Sequence, residues 1–268
     1  MNKEISIDYK KYLKNKKVKK ALITTTQLGI LVLIVAIWEI FARLEIIDTF
    51  IMSSPSRIVK TIGELYSKGN LFYHIFTTLS EALIGFFIAT VGGYIIAIIL
   101  WWNETLRKIL DPYLVVLNSL PKIALGPIII IWIGVGTGAI VTMDILIMVI
   151  ITIITMLNTF NQVETSKIML LKSMGAKKFQ ILFKLILPNA LTEFISLLKI
   201  NIGLTWVGTI MGEYLVSRAG LGYLIIYGSQ IFNLDLVMAS TIILCILAGL
   251  MYYIVAYIEK LVYKKFNN

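Results

Sequence analysis

Long apolar blocks without a charged side chain dominate this chain of 268 residues. Five such blocks cover residues 21–38, 82–103, 123–143, 145–163 and 236–258. A helix needs about 20 mostly uncharged residues to cross the hydrocarbon layer of a bilayer. A sixth block contains Glu193 and Lys199, but its uncharged run, residues 200–212, is too apolar to lie in water. The blocks therefore predict six transmembrane helices.

The composition agrees with a membrane protein. Hydrophobic residues make up 58% of the chain and charged residues 15%, against about 45–50% and 25% in soluble domains. We expect an all-α membrane protein with a basic cytoplasmic tail over residues 1–20 and one transmembrane domain over residues 21–268. The predicted spans cover residues 21–42, 75–102, 113–133, 139–158, 189–212 and 236–258.

The distribution of basic residues predicts the orientation. The two tails and the loops on the same side of the six spans carry 18 Lys and Arg residues, whereas the other loops carry five. Positive residues in short loops stay in the cytoplasm, so both termini are expected there. The net charge of +10 does not indicate a nucleic-acid partner, because the lysines concentrate beside the spans.

The segment between the predicted fourth and fifth spans is too charged to cross the bilayer and unusually apolar for a loop. Phe179, Leu182, Phe183 and Ile186 follow the i, i+3, i+4, i+7 spacing of one helix face. Gly175 precedes them, at a position where glycine ends one helix and lets the chain turn into another. We predict two short cytoplasmic helices over residues 164–187, the coupling segment below. A basic amphipathic helix lying on lipid headgroups is the alternative.

Prolines and small residues mark two other spans. Pro121 and Pro127 interrupt the third block, and a proline at membrane depth is tolerated where protein or a water-filled cavity satisfies the freed backbone groups. Ala89, Gly93 and Ala97 recur every four residues in the second span and predict a close helix contact. In the loop after the first span, SSPSR (53–57) predicts a helix start with Ser54 or Ser56 as the cap.

Several kinds of chemistry find little support in the sequence. The chain lacks a Gly-x-x-x-x-Gly-Lys-Ser/Thr phosphate-binding loop, so ATP would have to bind to another subunit. One histidine, His74, and one cysteine, Cys245, make a metal site improbable. Two Ser-x-x-Lys pairs leave a membrane-embedded Ser/Lys hydrolase as a remote alternative. These pairs are Ser119 with Lys122 and Ser196 with Lys199.

Charged residues inside the predicted spans leave a second alternative open. Glu81, Asp144 and Glu193 belong to different spans, so a carboxylate relay in a secondary transporter is conceivable. Each of them, and Lys122 as well, could instead lie near a span end and extend to the interface.

Four ordered motifs resemble one family of transporters. Gly175, nine further residues and LILP (185–188) resemble the G-x9-I-x-L-P ending of the cytoplasmic signature of ABC importer permeases, although MLL (169–171) replaces its usual Glu-Ala-Ala. SLPKIALGPIIIIWIGVG (119–136), GEYLVSRAGLGYLI (212–225) and SSPSRIVKTIGEL (53–65) are similar to segments of the nitrate/sulfonate/taurine branch of these permeases.

The resemblance implies a type I ABC importer permease in the bacterial cell membrane, without enzymatic activity of its own. Its expected partners are two ATPase subunits that carry ATP and Mg, a second permease copy in a homodimer, and an extracytoplasmic solute-binding protein. The solute would belong to the sulfonate, taurine, nitrate or heterocyclic vitamin-precursor class. The expected ATPase-coupling residues are Lys172, Ser173, Met174, Gly175, Ala176, Lys177, Leu187 and Pro188.

The translocation pathway is expected along the third and fifth spans, since interrupted helices that line cavities often hold transport sites. The candidate pathway residues are Pro121, Pro127, Asn201, Thr205, Trp206 and Glu213.

Overall fold

A computed structural model describes residues 7–266, which form helices with no strand among them. The helices are α1 (Ile7–Arg43), α2 (Thr49–Met52), α3 (Pro55–Ser67), α4 (Leu71–Trp102), α5 (Glu104–Ser119), α6 (Gly126–Ile133), α7 (Thr137–Asn161), α8 (Thr165–Ser173), α9 (Lys178–Ile181), α10 (Leu187–Val216), α11 (Leu221–Gln230) and α12 (Leu234–Phe266). A 3₁₀ turn (Lys122–Leu125) precedes α6, and a π-helical turn (Leu182–Ile186) joins α9 to α10.

Five stretches are long and apolar enough to cross a membrane, and a bent pair of helices can make a sixth span. The five stretches are Ala21–Arg43, Leu71–Trp102, Thr137–Asn161, Lys178–Val216 and Leu234–Val262. This agrees with the predicted all-α membrane fold. Helix α1 begins at Ile7, within the predicted basic tail, and its membrane-crossing stretch begins at Ala21; residues 1–6 lie outside the described part.

The third span, predicted over residues 113–133 with interruptions at Pro121 and Pro127, consists of two helices that meet at a sharp bend. Helix α5 ends at Ser119, and the chain turns by 87° before the Lys122–Ile133 helix. Leu120 has extended backbone angles, as expected for a residue that precedes a proline. Pro121 therefore stands at a sharp break, and Pro127 lies in the first turn of α6, where its missing N–H costs little.

Helices α4, α7 and α10 form the centre of the bundle, and small residues allow their close approach. Ala89 and Ala97 are fully buried in α4. A Cβ atom on Gly93 would lie 2.7 Å from Cβ of Thr152 in α7. The predicted small-residue face of the second span is thus a helix contact of the kind that drives packing in lipid.

Helix α3 lies against the start of α12 and is held there by polar contacts. Ser54, one of the two predicted caps, caps α3 by accepting a hydrogen bond from the Arg57 backbone N–H. The Arg57 guanidinium bonds to Oδ2 of Asp235 at 2.7 Å, and the Ser53 hydroxyl donates to Oδ1 of the same carboxylate at 2.7 Å. These bonds fix the loop after the first span on the bundle.

Helix α1 stands apart from this bundle. None of residues 21–41 is buried within the chain. Its contacts are with α3, near residues 31–43 and 55–59. The apolar surface of α1 is therefore free to face lipid or another protein chain.

Candidate functional site

The coupling segment turns at Gly175 through a Schellman motif. Gly175 has a φ of +81°, which is the left-handed conformation that favours glycine. Its N–H donates to the carbonyl of Lys172 at 2.9 Å, and the Ala176 N–H donates to that of Leu171 at 3.0 Å. These are the two bonds that define the motif. The predicted role of Gly175 in ending one helix is therefore seen in the backbone.

The turn projects from the bundle. Met174 is 75% exposed, and its neighbours Lys172, Ser173, Gly175 and Lys177 are also exposed, with Ala176 partly buried. A projecting methionine flanked by lysines is a suitable surface for a protein contact, since apolar anchors supply affinity and charges supply orientation.

The opposite side of the segment is anchored in the bundle. Ile181, Leu182 and Ile186 are at most 3% exposed and belong to a core cluster with Leu100 of α4 and Phe160 of α7. Phe179 and Phe183, predicted on the same apolar face, are instead exposed and contact each other with ring centroids 4.4 Å apart. The buried half of this face therefore packs the coupling segment against α4 and α7.

Pro188 lies in the first turn of α10, which begins at Leu187, next to the predicted start of the fifth span at residue 189. The helix runs without a break from Lys178 to Val216. Just before Pro188, the Leu187 N–H donates to the carbonyl of Leu182, a π-type bond. A proline inside an α-helix leaves a carbonyl of the preceding turn without its donor, and a local π turn is a known way to accommodate such a defect.

The predicted pathway residues of the fifth span lie in the interior of the single chain. Asn201 is fully buried, and its Nδ2 donates to the hydroxyls of Thr90 and Thr152, each at 3.0 Å. Thr205 is also fully buried and bonds to the Asn201 carbonyl, and Trp206 is 6% exposed. These side chains join α10 to α4 and α7, whereas Pro121 and Pro127 are exposed. A role of any of them in the pathway stays a prediction.

Three acidic side chains lie at the end of the bundle away from the coupling segment. The alternative that Glu81 and Asp144 extend to the membrane interface is wrong, because both are buried. Glu81 of α4, Asp144 of α7 and Glu213 of α10 are all at most 2% exposed. Thr137 donates to Glu81 at 2.7 Å, and Thr209 donates to Asp144 at 2.7 Å. These acids do not extend to the lipid interface.

Glu81 and Glu213 each keep one buried carboxylate oxygen without a hydrogen-bond partner among the described residues, Oε2 of Glu81 and Oε1 of Glu213. Glu213 accepts the Gly222 N–H at 2.5 Å. A cavity of about 400 Å³ opens beside Glu81 and Thr137, with Arg218 in its lining. The predicted pathway residue Glu213 is not among the residues that line this cavity.

His74, which the sequence left without a role, joins two helices at the same end. Its Nδ1 accepts the Gly220 N–H at 3.0 Å, so this ring nitrogen carries no proton. Its ring stacks on Tyr223 with centroids 6.1 Å apart. His74 lies in the first turn of α4, and its partner Gly220 lies in the loop between α10 and α11. Nothing in the sequence near either residue indicates this contact.

The two Ser-x-x-Lys pairs do not form serine–lysine dyads. The Lys122 ammonium donates to the Asn118 carbonyl at 3.0 Å, and Lys199 forms an ion pair with Glu259 of α12 at 2.5 Å. Ser119 donates to the Val115 carbonyl. In both pairs the lysine is directed to another partner, which removes the structural basis for a Ser/Lys hydrolase.

Comparison with known proteins identifies transport permeases. The family model for "Binding-protein-dependent transport system inner membrane component" matches residues 89–268. The taurine transport system permease protein TauC of Escherichia coli (strain K12) is 25% identical over 85% of this chain and 84% of its own length. The formylaminopyrimidine transport permease protein ThiX of Halalkalibacterium halodurans is 32% identical over 71% of this chain and 76% of its own length.

Solved structures support the same fold. A chain of the MetNI methionine ABC transporter in inward-facing conformations superposes with a TM-score of 0.64 at 21% identity, covering 73% of this chain and 97% of that one. A chain of a bacterial ABC transporter that imports the acidic polysaccharide alginate has a TM-score of 0.63 at 14% identity and covers 91% of this chain and 97% of that one. The family match spans more than half of the sequence, and the chain therefore belongs to the binding-protein-dependent transport system inner membrane components, as the permease subunit of an ABC importer.

Proposed function

We propose that two copies of this permease form a pathway for a small solute, driven by two separate ATPase subunits that dock on the coupling segment. The observation that carries the proposal is the form of this segment. Its turn at Gly175 is exposed and rigidly closed by the two Schellman bonds, while Ile181, Leu182 and Ile186 fix its other side in the bundle. A force applied to the turn therefore acts directly on the spans.

ATP and Mg belong to the partner ATPase in this proposal, and the permease itself holds no cofactor. The expected docking surface consists of Lys172, Ser173, Met174, Gly175, Ala176 and Lys177, with Leu187 and Pro188 at the start of α10. Lysines on this surface suit an ATPase cleft with acidic side chains, because complementary charge sets the orientation and the association rate of a contact.

A second copy of the chain would cover surfaces that are exposed in one copy. Along α10, Glu193, Ser196, Ile200, Gly203 and Val207 follow a spacing of three or four residues and lie at least partly exposed on one face. A carboxylate on a lipid-facing stripe is costly, which favours a pathway or a partner subunit in front of this face. The free apolar surface of α1 provides a further contact for the second copy.

The orientation and the location follow from charge and family. The excess of 18 basic residues over five on opposite sides supports cytoplasmic termini and a cytoplasmic coupling segment. The chain would lie in the bacterial cell membrane and receive its solute from an extracytoplasmic binding protein at the end of the bundle that holds Glu81 and Arg218.

The solute class is proposed from the relatives. Their names specify taurine, aliphatic sulfonates and formylaminopyrimidine, so we propose a small sulfonate, taurine, nitrate or a heterocyclic vitamin precursor. Binding of labelled taurine, an alkanesulfonate, nitrate and formylaminopyrimidine to the cognate binding protein would select among these classes.

Substitution of Gly175 tests the docking role. A Cβ atom at this position meets nothing within 4 Å in the chain, so the cost of a side chain comes from the positive φ, about 1–2 kcal/mol for an L residue. Asparagine tolerates this conformation better than alanine, and valine tolerates it least. We expect ATPase copurification and ATP-dependent uptake to fall in the order Gly, Asn, Ala, Val. Equal copurification and uptake for Gly175→Val and wild type would refute the docking assignment.

A further inference from the structure

We infer that Lys178 is a positioning residue that clamps the coupling segment to the joint between α4 and α5; the functional part of this inference rests on the transport function proposed above. Lys178 is the first residue of α9, three positions after Gly175. The Lys178 ammonium reaches the end of the second span, 76 positions earlier in the chain, and makes three contacts there.

The first contact satisfies a helix end. The Lys178 ammonium donates to the carbonyl of Trp102 at 2.6 Å, and Trp102 is the last residue of α4. The last carbonyls of a helix have no partner within the helix, and the negative end of the helix dipole favours a cation there. Lys178 supplies both the donor and the charge.

The other two contacts are cation–π interactions. The ammonium lies 5.6 Å from the ring centroid of Trp101 and 5.4 Å from that of Trp102. Both distances are within the roughly 6 Å range of this interaction. Because a hydrogen bond and two indole rings hold one ammonium group, the start of α9 has a defined position relative to α4.

The connection between α4 and α5 determines which helices the Lys178 contacts affect. A single residue, Asn103, separates the two helices, and its side chain caps α5 by accepting the Leu106 N–H at 3.0 Å. Helix α5 leads directly into the break at Pro121 and into α6. Displacement of the turn at Gly175 is therefore passed through Lys178 to the end of α4 and, through α5, to the broken third span.

Two other lysines of the segment, Lys167 and Lys184, do not make the contacts that Lys178 makes with α4. Lys167 pairs with Glu164 next to it in sequence, so it ties α8 only to its own start. Lys184 lies on the exposed side of the π turn and provides a charge-matched control outside the proposed docking surface. Lys178→Ala removes all three contacts, whereas Lys178→Arg keeps a donor and a cation that stacks on indole rings.

Hydrogen exchange of the purified permease tests the clamp without the ATPase. We expect Lys178→Ala to accelerate exchange of the amides around residues 176–182 by about 5- to 30-fold, the range that corresponds to the loss of one or two kcal/mol. Lys184→Ala should leave these amides close to wild type, and Lys178→Arg should restore most of the protection. Equal exchange in Lys178→Ala and Lys184→Ala would overturn the clamp.

The reconstituted complex with its ATPase tests the transmission. We expect Lys178→Ala to bind and stimulate the ATPase normally but to take up less labelled solute per ATP hydrolysed, with Lys178→Arg recovering the ratio. Taurine, an alkanesulfonate, nitrate and formylaminopyrimidine serve as probes. An unchanged ratio in Lys178→Ala would refute the transmission role. A wild-type complex without ATP-dependent uptake of any probe would count against the proposed function, while the exchange experiment would still decide the clamp.

Discussion

Two adjacent glycines in α4 provide a sharp test of the central helix packing. A Cβ atom on Gly92 would meet nothing within 4 Å, whereas a Cβ atom on Gly93 would lie 2.7 Å from Cβ and 2.8 Å from Cγ2 of Thr152, and 3.1 Å from the Val149 carbonyl. The two substitutions to alanine are chemically identical and one residue apart. Their difference therefore isolates the contact between α4 and α7.

The expected magnitude follows from two opposing effects. Replacement of a helical glycine by alanine gains about 1 kcal/mol of helix propensity, and this gain is common to both sites. Overpacking of a close contact costs about 1–3 kcal/mol and applies to Gly93 alone. We expect Gly92→Ala to be as stable as wild type or more stable, and Gly93→Ala to be less stable than Gly92→Ala by about 1–3 kcal/mol.

Thermal melting of the purified protein in detergent measures this difference. For a domain of this size, 1 kcal/mol corresponds to about 2–4 °C in Tm. Adding Thr152→Ser to Gly93→Ala removes the methyl group but keeps the hydroxyl that bonds to Asn201, so part of the lost stability should return. A Gly93→Ala protein that melts at or above Gly92→Ala would refute the packing argument.

Local signals in the sequence predicted the parts of the fold that depend on neighbouring residues. Uncharged runs locate the spans, because the cost of charge in lipid acts on each helix separately. The SSPSR stretch predicts a cap at Ser54 or Ser56, since a cap needs only a backbone donor two or three residues later, and Ser54 is the cap observed. Gly175 predicts a turn, because the left-handed conformation is a property of a single residue.

Features that depend on contacts between helices were harder to predict. Pro121 indicates a break but not its 87° angle, and nothing local shows that Gly126 at the start of α6 packs beside Leu215 of α10. Asn201 is polar inside a span, and such a residue either lines a pathway or bonds within its own bundle. The second arrangement is found because Thr90 and Thr152 lie on two other helices at matching depth.

The interior position of Asp144 had a sequence signal that the interface interpretation did not use. Asp144 is the eighth residue of α7, about two turns inside the helix, and its side chain is much shorter than those of Lys and Arg, which extend to the interface from such positions. In the fold, Asp144 occupies a groove formed by Gly85 of α4 and Gly208 of α10, where an added Cβ atom would collide with its carboxylate. Gly85 and Gly208, on two other spans, leave the space that Asp144 occupies. A single sequence does not show which glycines lie opposite Asp144.

Three further substitutions test the polar contacts of the bundle by thermal melting. Asn201→Ala should cost about 1–3 kcal/mol, since two interhelical bonds of roughly 0.6–1.7 kcal/mol are lost; an unchanged Tm would contradict this network. Asp235→Asn should cost at most about 1 kcal/mol and reduce the salt dependence of stability, because its pair with Arg57 is partly exposed. Asp144→Asn should not destabilise the protein, because asparagine still accepts the hydrogen bond from the Thr209 hydroxyl. Asparagine also avoids the cost of a charge in a membrane helix, about 2.5–3.5 kcal/mol. Asp144→Ala is the matched comparison, since it removes the acceptor and leaves Thr209 without this bond. Asp144→Asn melting as low as Asp144→Ala would show that the negative charge itself stabilises the bundle and would refute this reasoning.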